Sequence, residues 1–237
     1  MLENKRNTIA ITEKLAFGML LASVGGLMDV YSYVVRGKVF ATGQTGNFVL
    51  VAANLANKNY VGMLHPFVPI LSFWVAIFAA WHIFYLIAKE KQLLWKRTIL
   101  AISIIILFIT GLIPISYPDL ISDSLVAFAA ALQYCAFRKF GTSENFATIF
   151  CSGNMRSCAD NYYKGLIRKD KGALKKAFSY SCILISYFSG AAIGAIETTF
   201  FHEKTIWTGA LVLTIALILS FVLNESSSKN KTLATEL

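Results

Sequence analysis

The residues best equipped for chemistry occur in two short runs of one kind. Phe40-Ala41-Thr42-Gly43-Gln44-Thr45-Gly46-Asn47 is matched by Phe146-Ala147-Thr148-Ile149-Phe150-Cys151-Ser152-Gly153-Asn154. Each places a hydroxyl, a glycine and an asparagine in a row, at a similar distance behind Phe-Ala-Thr. Hydroxyls and carboxamides bind polar solutes through uncharged hydrogen bonds, and glycine lets backbone approach a ligand closely. A further chemical group, Asp29, follows Gly25-Gly26-Leu27-Met28 within an apolar stretch. A carboxylate at that depth is costly in hydrocarbon and suits proton coupling or cation binding. Leu132-Gln133 stands in the second half where Met28-Asp29 stands in the first. Arg156 adds a cation just beyond the second run. The candidate solute-binding residues are therefore Asp29, Gln44, Thr45, Gly46 and Asn47 in one half, and Gln133, Ser152, Gly153, Asn154 and Arg156 in the other.

Each has a plainer reading. Thr45 or Asn47 could cap a following helix through a side-chain oxygen, and a duplicated fold also duplicates its caps. Asp29 could sit near the interface, bonded to water or Arg36. Arg156 and Asp160 are four residues apart and could pair on a helix surface. His82, between Trp81 and Ile83, reads as a hydrogen-bonded buried histidine, and Glu197 as a residue close enough to a span end to reach water. The four tryptophans pack in the spans or anchor at interfaces.

Other chemistries find no pattern. There is no HExxH, GxSxG or P-loop, and no paired carboxylates stand near a nucleophile, so no enzyme is expected. The four cysteines lack metal-ligand spacing and read as small buried residues, with no metal or cofactor implied. The net charge of +9 comes from Lys and Arg gathered between apolar blocks, as membrane orientation requires. No stripe of basic and stacking residues points to nucleic acid.

These groups must be positioned by membrane segments. Of 237 residues, 56% are hydrophobic and 15% charged, with mean hydropathy +0.59; soluble domains carry about 25% charged residues. Spans are expected at about Leu15–Val35, Pro66–Ala88 and Thr98–Ile115, and again at Leu120–Phe137, Phe178–Phe200 and Ile206–Leu223. Gly18, Ala22 and Gly26 form a small-residue ladder on the first, and Ala76 and Ala80 a pair on the second; both patterns suit close helix packing. Gly190 and Gly194 align on Ala76 and Ala80, and Ile185-Ser186-Tyr187 on Leu71-Ser72-Phe73. Pro66 and Pro69 are expected in a first helical turn.

Between these spans lie the two motif segments, Thr42–Asn57 and Phe146–Leu166. The apolar part of the first is short against the roughly 20 residues a spanning helix needs. If neither segment crosses, the basic clusters Lys89–Arg97 and Arg138–Lys176 fall on the same side as the N-terminus, as the positive-inside rule expects. If both cross, the first cluster moves outside. The expected fold is therefore an all-α polytopic bundle of six spans plus two partial or re-entrant helices, with an internal two-fold repeat. Its parts are a cytoplasmic tail (1–14), two repeat units (15–117 and 118–224) and a polar tail (225–237). Three spans per unit make the units inverted, a recurrent arrangement in transporters.

Gly25-Gly26-Leu27-Met28-Asp29, Val39-Phe40-Ala41 and Gln44-Thr45-Gly46-Asn47 resemble the signature of the YoaK-like family, and the likeness covers nearly the whole chain. It implies a bacterial inner-membrane protein of six spans without assigned function. Arg156 with Asp160 makes the second motif segment more polar than the family pattern.

The expected function is transport of a small solute bound near the midplane between the two runs, with Asp29 coupling protons or binding a cation. Positive helix ends and Arg156 would suit an anionic or neutral polar solute. A passive pore and a non-transporting assembly subunit are the alternatives; the latter would use the small-residue faces of the first and fifth spans for association. The expected partners are the lipid bilayer and the solute, with a homodimer conceivable for a chain of this size, and both termini cytoplasmic.

Overall fold

The computed structural model describes residues 15–87, 91–137, 139–140, 144–145 and 151–233. The N-terminal tail, residues 146–150 of the second run and residues 234–237 lie outside them. The protein is all-helical: α1 (Leu15–Val34), α2 (Gln44–Ala56), α3 (Tyr60–Ile87), α4 (Gln92–Leu112), α5 (Asp119–Ala136), α6 (Cys151–Ile167), α7 (Lys171–Phe201) and α8 (Ile206–Leu233). A 3-10 turn, His202–Thr205, joins the last two, and a pair of two-residue strands (β1, Lys139–Phe140; β2, Glu144–Asn145) precedes α6.

Among the described residues, four helical stretches are long and apolar enough to cross a membrane: α1, α3, α4 and the stretch Lys171–Val222 that combines α7, the turn and most of α8. The 18-residue α5 is not among them, because Asp119, Asp123 and Gln133 lower its hydropathy. Large apolar side chains such as Trp74, Phe78, Ile105, Phe188 and Phe200 stand exposed on the outer faces. In water such a surface would aggregate; against lipid tails it is the matching one.

The tightest crossing is α1 on α7. A methyl added at Gly26 would lie 2.0 Å from the Tyr187 carbonyl oxygen, and one at Gly190 would lie 1.9 Å from that of Ser23. Only glycine lets the two backbones meet there. The faces expected to be free for association are therefore spent within the chain. Helix α3 packs on α5 with Ala76 and Ala80 fully buried. The other neighbours include α2 on α3, α6 on α7, α4 on α5 and α8, and α1 on α8, with lesser contacts of α1 on α5 and α3 on α4. Leu21, Met28, Leu107, Leu132 and Leu213 fill the centre.

Several boundaries differ from the sequence expectation, each for a local reason. Helix α3 starts at Tyr60, so Pro66 and Pro69 lie inside it. Asn59 starts it early, accepting the Gly62 N–H on its side chain and the Met63 N–H on its carbonyl. Helix α7 starts at Lys171, where Asp170 accepts the Gly172 and Ala173 N–H groups at 2.8 and 3.1 Å; a capping carboxylate extends the helix beyond its apolar part. Helix α2 ends as expected at Asn57, with Lys58 in a left-handed conformation (φ 55°) turning the chain. Its start is not capped by Thr45 or Asn47: Gly43 holds that place without a side-chain bond.

Candidate functional site

Asp29 lies in the last two turns of α1 and is 9% exposed. Its Oδ1 accepts the Thr42 N–H at 2.7 Å, and its Oδ2 accepts the Thr42 hydroxyl at 2.5 Å and the Tyr187 phenol. Donors from the α1–α2 loop and from α7 thus converge on one carboxyl. Hydrogen bonds to a charged acceptor are what allow a carboxylate to remain buried. Arg36, the partner considered from sequence, is engaged elsewhere. It donates to the Tyr31 hydroxyl (2.8 Å), to the Ile113 and Pro114 carbonyls (2.7 and 3.4 Å), and pairs with Asp119 at 3.8 Å.

The loop that brings Thr42 to Asp29 is shaped by the first run. Asn47 is fully buried; its Oδ1 accepts the Phe40 N–H at 2.9 Å, and its Nδ2 donates to the Phe40 carbonyl at 2.7 Å and to Gln44 Oε1 at 2.9 Å. Gln44 Nε2 donates in turn to the Ala41 carbonyl at 2.9 Å. A carboxamide can do this because it carries both acceptor and donors in one plane. Gly46 lies beneath the Phe40 ring, where a methyl would come within 2.7 Å of it. Asn47 and Gln44 are therefore loop staples, with their polar atoms spent on backbone and on each other.

An open cavity of about 270 Å³ lies over Asp29. Asp29 and Tyr187 line it together with Phe40, Thr42, Gly43, Thr45 and Gly46 from the first run. Cys151 and Ser152, which open α6, complete it. The starts of α2 and α6 thus meet at one carboxyl. Helix N-termini carry partial positive charge and favour an anion there, and Asp29 supplies one from within the protein.

The expected site residues divide into three groups. Asp29, Thr45, Gly46 and Ser152 line the cavity, while Gln44 and Asn47 hold its wall. The others lie outside the lining. Asn154 is buried on α6, whereas a methyl at Gly153 would meet nothing within 4 Å. Gln133 is buried on α5, its Nε2 directed at the Ala129 carbonyl 3.4 Å away. The Arg156 side chain is 87% exposed and pairs with Asp160 at 3.8 Å, the plain surface pair. His82 stands on the exposed face of α3 rather than buried. Tyr187 was missed. Its signal was available in the alignment of Ser186-Tyr187 on Ser72-Phe73, where one half gains a hydroxyl the other lacks.

Among the described residues, no group of three or more His, Cys, Asp or Glu could hold a metal ion. Residues 17–219 match the family described as "Protein of unknown function (DUF1275)". The chain belongs to this family. It is also 24% identical to the UPF0700 transmembrane protein YoaK of Bacillus subtilis (strain 168), over 218 residues that make up 89% of this chain and 95% of that one. The resemblance seen in the glycine-rich and Thr-Gly-Asn runs therefore holds, and this DUF1275 member is an integral membrane protein. No solved structure matches it.

Proposed function

We propose that the protein carries a small uncharged polar solute across the membrane through the cavity over Asp29, using two inverted three-span units. The observation that carries this reading is the meeting of both motif-bearing helix starts at a buried carboxyl. Two helix ends, each worth about half a positive charge, offset one carboxylate. Among the described residues no basic side chain lines the cavity, and Arg156 lies apart from it, which favours a neutral solute over an anionic one.

Hydrogen bonds between helix ends support six crossings. Arg36, just past the end of α1, donates to carbonyls just past the end of α4, so these two ends share a face. If α2 crossed, they would lie on opposite faces. Arg97, near the start of α4, donates to the Ser220 carbonyl late in α8 at 2.5 Å, which likewise suits six crossings. Helix α2 has 13 residues, a length of about 20 Å at 1.5 Å per residue, against about 30 Å of hydrocarbon. Helix neighbours support the repeat: exchanging α1–α4 for α5–α8 turns the α1–α7 pair into α5–α3, α2–α3 into α6–α7, and α1–α8 into α5–α4.

A second reading draws on the Asp29 bonds themselves. Its oxygens are already occupied by Thr42 and Tyr187, which also suits a structural tie in a non-transporting assembly subunit. Proteoliposomes separate the two, with glycerol as neutral probe, methylammonium as cationic and formate as anionic. Transport predicts saturable flux of the neutral probe that Asp29→Asn abolishes in a folded protein. Absence of flux for all three probes, or equal flux in the variant, contradicts it. Flux that never saturates selects the passive pore.

A further inference from the structure

A second buried carboxyl lies away from the cavity, at the other end of the same loop. Asp123 of α5 is 0% exposed. Its Oδ2 accepts the Gly37 N–H at 3.0 Å, while its Oδ1 has no hydrogen-bond partner among the described residues. The Ser32 hydroxyl is equally buried and faces the Asp123 carboxyl, and that of Ser122 is equally buried with no partner among the described residues. The Nδ1 of His65, from α3, is a further buried atom without a partner. Asp123 Oδ2 and His65 Nδ1 converge on one point, since a methyl on Gly37 would lie 2.6 Å from the first and 3.3 Å from the second. The other charged groups at this end are Arg36 from the α1 side and Asp119 from α5 itself. Tyr31 of α1 and Glu203 of the 3-10 turn belong to the same neighbourhood.

We infer that Asp123 and His65 form a proton-binding site that latches the α1–α2 loop to α5. An ionised carboxylate with one oxygen unpaired is costly to bury. A proton on Oδ1 converts that oxygen into a donor with the Ser32 hydroxyl at hand, while His65, only partly buried, stands beside Gly37 on the Oδ2 side and gives the proton a way in. The ionised form holds the Gly37 N–H by a charge-assisted bond and the protonated form by a weaker neutral one. The two ends of a single loop are thus tied by two carboxyls, Gly37 to Asp123 and Thr42 to Asp29. Protonation of Asp123 loosens the end remote from the cavity and frees the wall formed by Phe40–Gly46. The site stands on its own geometry and requires no assumption about the solute.

The test is infrared difference spectroscopy of the purified full-length protein between acidic and alkaline pH, together with hydrogen exchange at residues 36–43 corrected for intrinsic rates. The expected result is a protonated-carboxyl band that appears on acidification, persists in Asp29→Asn and is lost in Asp123→Asn. Loop protection in the wild type should fall about tenfold as the band appears, the difference between a charge-assisted and a neutral hydrogen bond. His65→Gln, at a partly exposed position, should displace the pH midpoint of the band by on the order of one unit, and it keeps the test open if Asp123→Asn does not fold. A band that disappears in Asp29→Asn, loop protection independent of pH, or an unmoved midpoint in His65→Gln would each overturn the inference.

Discussion

On the proposed repeat the α1–α7 crossing matches the α3–α5 crossing, yet the two are built differently. On α1 a carboxyl meets the phenol of Tyr187 on α7. At the matching places stand Gln133 on α5 and Phe73 on α3, a carboxamide and a ring without a hydroxyl. Phe73 packs against the Tyr134 ring at 6.3 Å, and Gln133 turns back on its own helix. The helix faces differ as well. Gly26 and Gly190 let α1 and α7 touch, whereas the aligned positions on α3 are the fully buried Ala76 and Ala80. On the proposed repeat, only the first copy carries a carboxyl at this position. The cavity chemistry thus belongs to the glycine-lined crossing of α1 on α7.

The largest effect should come from forcing the tight crossing open. Gly190→Val places atoms where the Ser23 backbone stands and should cost about 3 kcal/mol or prevent folding. Ala76→Gly at the α3–α5 crossing should cost about 1 kcal/mol. Thermal unfolding of the detergent-solubilised variants measures both, and similar losses would erase the distinction. Next comes the loop between α1 and α2. Asn47→Ala strands the Phe40 N–H and carbonyl and should cost about 1–3 kcal/mol, with faster hydrogen exchange confined to residues 37–47.

A comparable effect comes from making the two crossings alike. Tyr187→Phe removes one donor from Asp29 and should destabilise by about 1.5–3 kcal/mol. Gln133→Asp alone buries a carboxyl without that donor. Adding Phe73→Tyr should recover part of the loss, with a coupling of about 0.5–3 kcal/mol in a double-mutant cycle. Zero coupling would mean the halves do not superpose at these residues. The smallest effect is expected at Arg156→Ala. Its ion pair is solvent-facing, exposed pairs contribute little, and neither unfolding temperature nor flux should change.

Much of this asymmetry was legible in the residues. The small-residue ladder through Gly26 marked the tight face correctly, because close packing of backbones leaves few other options. The shortness of the Thr42–Asn57 segment foretold the 13 residues of α2. Asp29 stood out because a carboxylate in an apolar run is expensive. Tyr187 did not, since a tyrosine in a span is ordinary until its partner is known. Asn47 was legible as a polar group with a purpose, but an asparagine serves equally as cap, staple or ligand. Only the path of the loop decides among these. His82 shows the limit of hydropathy, which tells that a helix is apolar without telling which side meets lipid.

The measurement that tests the account most directly is the sidedness of the two motif helices. In a background without Cys135, Cys151, Cys158 and Cys182, Asn59→Cys and Lys169→Cys report the turns that follow α2 and α6. Intact cells are treated with a membrane-impermeant maleimide. The account predicts labelling of the first from outside and of the second only after the inner face is opened, because inverted units present their motif helices from opposite sides. Labelling of both from the same face would contradict it, and the meeting of two opposed helix starts at Asp29 would have to be given up.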